Sequence, residues 1–129
     1  MTVCGKTLTQ SQGDCSAEQA LCVDVRGDLQ LQLARQLTAA ELNCKVETCP
    51  NAILNLLSTC NATCIADNDQ AAIGQCIENI DAFNNGVSPD ALGCHYRRIP
   101  GFEPPGPAGS SSQCNADRGD SITIFTACP

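Results

Sequence analysis

Residues 50–69 read Pro-Asn-Ala-Ile-Leu-Asn-Leu-Leu-Ser-Thr-Cys-Asn-Ala-Thr-Cys-Ile-Ala-Asp-Asn-Asp. In this stretch Ile53, Leu56, Leu57, Cys60 and Cys64 fall at i, i+3, i+4, i+7 and i+11, the period of an amphipathic helix. Pro50 suits the opening of such a helix, because its fixed φ and missing N–H cost little there. Asp67-Asn68-Asp69 breaks the pattern and supplies a cap for a following helix. Cys60 and Cys64 lie one turn apart on the buried stripe. That spacing favours two bonds to other elements over one bond to each other.

Working outward, Ile73, Cys76, Ile77, Ile80 and Phe83 form the next stripe, and Asn84-Asn85-Gly86 ends it, with Gly86 free to turn left-handed. Ser88-Pro89-Asp90 starts a short helical turn leading into Cys94. Upstream, Ser16-Ala17-Glu18-Gln19 has the form of a capping box. After it Leu21, Val25, Leu29, Leu33 and Leu37 recur every four residues, which predicts one continuous helix with Gly27 as a weak point of about 1 kcal/mol. Thr38-Ala39-Ala40-Glu41 is a second capping box, either restarting a helix or lying inside a continuing one. The helical segment is expected to stop by Thr48-Cys49, before Pro50. The first fifteen residues read as polar turns.

Beyond Cys94 the character changes. Residues 99–112 contain Pro100, Pro104, Pro105 and Pro107 with three glycines and three serines, the composition of a loop or spacer. Ser121–Thr126 is β-branched and reads as an extended segment. The expectation is a mainly α, small disulfide-stapled helical bundle in a single domain, residues 1–129. Its helical core spans about 16–93, with a Pro/Gly-rich loop and a short extended C-terminal segment over 94–129. An α+β arrangement is the alternative.

The chain has 129 residues, of which eleven are cysteine: 4, 15, 22, 44, 49, 60, 64, 76, 94, 114 and 128. Aromatic residues make up 3%, so a modest core needs staples. The cysteine gaps form no repeating pattern and contain no Cys-x-x-Cys pair, which argues against structural zinc and for disulfides in an oxidising compartment. Eleven is odd, so one of Cys4, Cys15, Cys22, Cys44, Cys49, Cys60, Cys64, Cys76, Cys94, Cys114 and Cys128 is left over. It is a buried thiol, the link in a disulfide-bonded homodimer, or joined to a small thiol. The N-terminal sequence has no signal-peptide features, which fits a mature chain with an added start Met. Asn61-Ala62-Thr63 is a glycosylation sequon.

Seven Lys and Arg against fourteen Asp and Glu give a net charge of −7, which excludes a basic surface for a nucleic-acid backbone. No apolar run reaches the ~18 residues of a membrane span. No metal or other cofactor is implied. Cys94-His95-Tyr96-Arg97-Arg98 concentrates the local chemistry and contains the single His. A hydrolase centred on His95 with a carboxylate and an Arg is one reading; charge balance and core-edge cover is the plainer one, and no residue is assigned a catalytic role. Arg26-Gly27-Asp28 and Arg118-Gly119-Asp120 are similar to the integrin-recognition tripeptide of adhesion proteins. The first lies within the expected helix, the wrong geometry; the second lies in an expected loop.

In composition the chain resembles the small secreted cysteine-rich effectors and elicitors of fungi and oomycetes. These readings combine into a secreted, extracellular, acidic glycoprotein that recognises an extracellular protein or glycan partner without catalysis. Its binding surface would include His95, Tyr96, Arg97, Arg98, Arg118, Gly119 and Asp120 on the tethered loop. A carrier of lipid or another small apolar ligand between the helical stripes is the alternative.

Overall fold

The computed structural model describes residues 1–9, 15–23, 25–88, 98–99 and 128. A two-residue-per-strand antiparallel hairpin opens the chain: β1 (Thr2–Val3) pairs with β2 (Lys6–Thr7), Thr2 opposite Thr7 and Val3 opposite Lys6. Its two-residue turn is Cys4-Gly5, both at positive φ (51° and 75°). Such primed turns match the twist of the flanking strands. The polar-turn reading of this segment is therefore corrected to a hairpin.

Four α-helices follow among the described residues: α1 (Ala17–Leu21), α2 (Leu29–Val46), α3 (Asn51–Ala66) and α4 (Gln70–Asn84). This is the disulfide-stapled, mainly helical bundle that the periodicities predict. The Ser16 box caps α1: Ser16 Oγ accepts from Gln19 N at 3.0 Å, and Gln19 Oε1 accepts from Cys15 N at 2.8 Å. The continuous helix expected from Leu21 to Leu37 does not form. The chain leaves α1 at Cys22 and turns through Arg26 (φ 44°) and Gly27 (φ 79°) before α2 begins. Gly27 takes a conformation that helix interiors exclude, and Asp28 caps α2 by accepting from Leu31 N at 3.1 Å. The Leu21–Leu37 stripe is thus shared between two helices.

Thr38-Ala39-Ala40-Glu41 lies inside continuing α2. Thr38 is fully buried, and its hydroxyl donates back to Ala34 O at 2.8 Å. α2 ends at Val46, and Pro50 is the N-cap of α3. Asp67 closes α3 in the left-handed region, and Asp69 caps α4 by accepting from Ala72 N at 3.0 Å. Gly86 follows α4 at φ 80°, as its place after Asn84-Asn85 predicts.

The inward stripes meet in one cluster. Leu31, Leu33, Leu37 and Ala40 of α2 pack with Ile53 and Leu57 of α3 and Ile73, Ile80 and Phe83 of α4; Val3, Leu8 and Val23 belong to the same cluster. α2 is the central helix, packed against α1, α3 and α4. The α2–α4 seam also carries a polar network. Asn43 Nδ2 donates to Asn84 Oδ1 (3.0 Å), Asn84 Nδ2 donates to Gln36 O (3.0 Å) and Oε1 (2.8 Å), and Gln36 Nε2 donates to Asp81 Oδ1 (3.2 Å). Asn43 and Asn84 are buried, so each needs the other's amide.

Four disulfides link described residues: Cys4–Cys64, Cys15–Cys128, Cys44–Cys49 and Cys60–Cys76. Cys60 and Cys64 do reach two different elements, α4 and the hairpin turn. Cys22 is disulfide-bonded as well, so none of the nine described cysteines is the odd one out. That question rests with Cys94 and Cys114. Both lie outside the described residues, as do the 88–90 turn beyond Ser88, the Pro/Gly-rich segment beyond Ile99 and the expected extended segment 121–126.

Candidate interaction surface

α3 contains no Asp, Glu, Lys or Arg, and the charge-free run extends from Thr48 to Ala66. In a chain of net charge −7 this is a local departure. The helix buries Ile53, Leu57, Cys60 and Cys64 and turns Leu54, Ser58, Thr59, Ala62 and Ile65 outward. Leu54 is 46% exposed and Ile65 58%; with Val46 at the end of α2 they are the large aliphatic side chains left exposed among the described residues.

The face is held from behind at its C-terminal half. Cys60 is bonded to Cys76 of α4 and Cys64 to Cys4 of the hairpin turn, and both α3 sulfurs are fully buried. Gln30 of α2 donates from Nε2 to Cys64 O at 3.0 Å, satisfying one of the last carbonyls of α3. Gly5 leaves room for Ile65: a Cβ there would meet Ile65 Cγ1 at 3.1 Å. The outcome is an uncharged, weakly apolar strip tied covalently at its C-terminal half.

Asn61 lies between the two bonded cysteines and is half-buried. Its Oδ1 accepts from Cys4 N at 2.7 Å and its Nδ2 donates to Leu57 O at 3.0 Å. The nitrogen that would carry a glycan is thus already donating a hydrogen bond inside the fold. Beside it on α2, burial pushes the Glu41 carboxyl above the usual range, against the opposing pull of Lys45, the N-terminal ammonium and a hydrogen bond with Asn61.

Of the loop residues singled out in the sequence, Arg98 alone is described. It is exposed and forms an antiparallel bridge with Val87, while Ile99 N donates to Gly86 O at 2.8 Å. These bonds tie residues 98–99 to the end of α4. His95, Tyr96, Arg97, Arg118, Gly119 and Asp120 lie outside the described residues.

Arg26-Gly27-Asp28 requires a correction. It is not helical; all three residues are exposed in the turn between α1 and α2. The turn is fixed by Asp28 N donating to Val25 O at 2.7 Å, and one Asp28 oxygen caps α2.

Among the described residues no group of His, Cys, Asp and Glu is arranged to hold a metal ion. No described helix is long and apolar enough to cross a membrane. No family model, curated protein or solved structure matches this chain. The inward stripe of a helix has an apolar period, and the outer face of α3 has none. The absence of charge from Thr48 to Ala66 is the sequence signal that marks it.

Proposed function

We propose that this chain is a secreted, disulfide-stapled interaction protein that recognises an extracellular protein through the outer face of α3, without catalysis. The observation that carries this reading is the charge-free strip bearing Leu54 and Ile65 in an otherwise acidic chain. Desolvating such a strip leaves no charge unpaired, and its side chains are small or aliphatic, so a partner with a shallow apolar groove fits it. Oxidised cysteines support an extracellular setting.

The test is site-specific photo-crosslinking against extracellular fluid from the source. A crosslinker at Ser58 should give one dominant adduct, lost with Leu54→Asp, while a crosslinker at exposed Gln75 of α4 should not. Equal labelling from both positions, or an adduct indifferent to Leu54→Asp, dismisses the reading.

A second reading is supported by the exposure of Arg26-Gly27-Asp28: recognition by a receptor that reads a guanidinium and a carboxylate together. Asp28→Asn separates the two roles of that residue, because Asn caps a helix as well as Asp does. Cell attachment to the immobilised protein should vanish with Asp28→Asn while the thermal midpoint holds. Undiminished attachment removes the idea.

A further inference from the structure

The four described disulfides meet solvent differently. In Cys4–Cys64 and Cys60–Cys76 both halves are buried, and in Cys15–Cys128 the Cys128 half is buried. In Cys44–Cys49 neither half is buried. It also closes the shortest loop, a separation of 5 residues against 16, 60 and 113 for the others. Opening a short, partly exposed link does not require the core to open, whereas a thiol can reach the buried pairs only after local unfolding.

The surroundings polarise the bond. Cys44 lies in the last turn of α2, where the helix dipole is negative. Cys49 directly precedes Pro50, the N-cap of α3, which supplies no capping side chain. The first N–H groups of α3 therefore favour negative charge on the Cys49 sulfur.

We propose that Cys44–Cys49 is a site of thiol–disulfide exchange with low-molecular-weight thiols of the glutathione class, and acts as a redox-sensitive latch on the α2–α3 corner. A thiolate attacks Cys44 Sγ, forming a mixed disulfide there, and the electron pair of the broken bond leaves on Cys49 as a thiolate. A second thiol attacks the small-molecule sulfur of the mixed disulfide and releases Cys44. The net change is a two-electron reduction of the protein bond and oxidation of two thiols to their disulfide. The consequence is local. Asn43 stays bonded to Asn84, so the end of α2 remains on α4, while Cys60 and Cys64 keep the second half of α3 in place. The first turns of α3, which include Leu54, lose their covalent tie. The exchange does not depend on a partner at α3.

The folded protein would be titrated with reduced glutathione at neutral pH, quenched by rapid alkylation and mapped by mass spectrometry. Cys44 and Cys49 should be modified at about tenfold lower thiol than any other described cysteine, with glutathione adducts on Cys44. Hydrogen exchange should accelerate only at the end of α2 and the start of α3. Modification of any other described pair first, Cys15–Cys128 included, or of all pairs together, overturns the proposal; adducts confined to Cys49 overturn the assigned polarity. The Cys44→Ser/Cys49→Ser variant checks the assignment independently. Once its helical circular dichroism is verified, the low-thiol transition should be gone and the high-thiol one kept; persistence of the former sinks the assignment.

Discussion

α3 and α4 are helices of nearly equal length, joined to each other by Cys60–Cys76 and otherwise held by different means. α4, with 15 residues, buries Ile73, Cys76, Asn79, Ile80, Ala82, Phe83 and Asn84 and adds side-chain hydrogen bonds to α2. α3, with 16 residues, buries four, and two of those are bonded cysteines. Where large side chains are scarce, a covalent link replaces the missing burial. It also leaves the rest of the helix surface free of packing duty, and the uncharged outer face of α3 is available on that account.

The largest effects should come from the links of α3 and from Phe83 of α4. Removing Cys4–Cys64 by a double Ala substitution should cost about 4 kcal/mol from loop closure, and removing Cys60–Cys76 about 3 kcal/mol, each measured by urea unfolding. Hydrogen exchange should show α3 losing protection before α4; simultaneous loss would erase the distinction between the two helices. For α4 the matching change is Phe83→Ala, which empties a fully buried site and should cost about 3–5 kcal/mol with all disulfides intact.

A smaller effect tests the polar seam. Asn84→Ala leaves the buried Asn43 amide without its acceptor and should cost about 1–3 kcal/mol. The Asn43→Leu/Asn84→Leu pair should cost less than the sum of its single changes, measured in a double-mutant cycle. Asp69→Ala removes the α4 cap and should cost about 1 kcal/mol by thermal unfolding.

The smallest effect concerns Glu41. Its folded-state affinity for a proton is raised above the unfolded one, chiefly by burial. The folded state then holds more protons between the two values, so this group's contribution to stability falls as pH rises from the ordinary carboxylate value through the raised one. Glu41→Gln should flatten that part of the stability–pH curve and leave the acid side unchanged. An unaltered curve would remove Glu41 as its cause.

The periodicity of Ile53–Cys64 and Ile73–Phe83 places α3 and α4 correctly, because a 3.6-residue repeat of apolar positions has few other ways to be buried. Asp69 and Gly86 read correctly as a start and a stop. The same logic misjudges Leu21–Leu37. A short helix followed by a long one shares that repeat with a single continuous helix, and the turn through Arg26 and Gly27, both at positive φ, decides between them. The Cys4-Gly5 hairpin is too short to have a period at all.

The sequence by itself determined that this is a small helical bundle dependent on disulfides, since low aromatic content, eleven cysteines and helical stripes are local and compositional facts. Which cysteine meets which was decided only by the tertiary structure, because pairing depends on the arrangement of helices across separations as large as 113 residues. The tertiary structure also decided that Arg26-Gly27-Asp28 stands exposed in a turn and that Asn61 is hydrogen-bonded within the fold. Both depend on neighbours brought together by packing, and no pattern along the chain encodes that proximity.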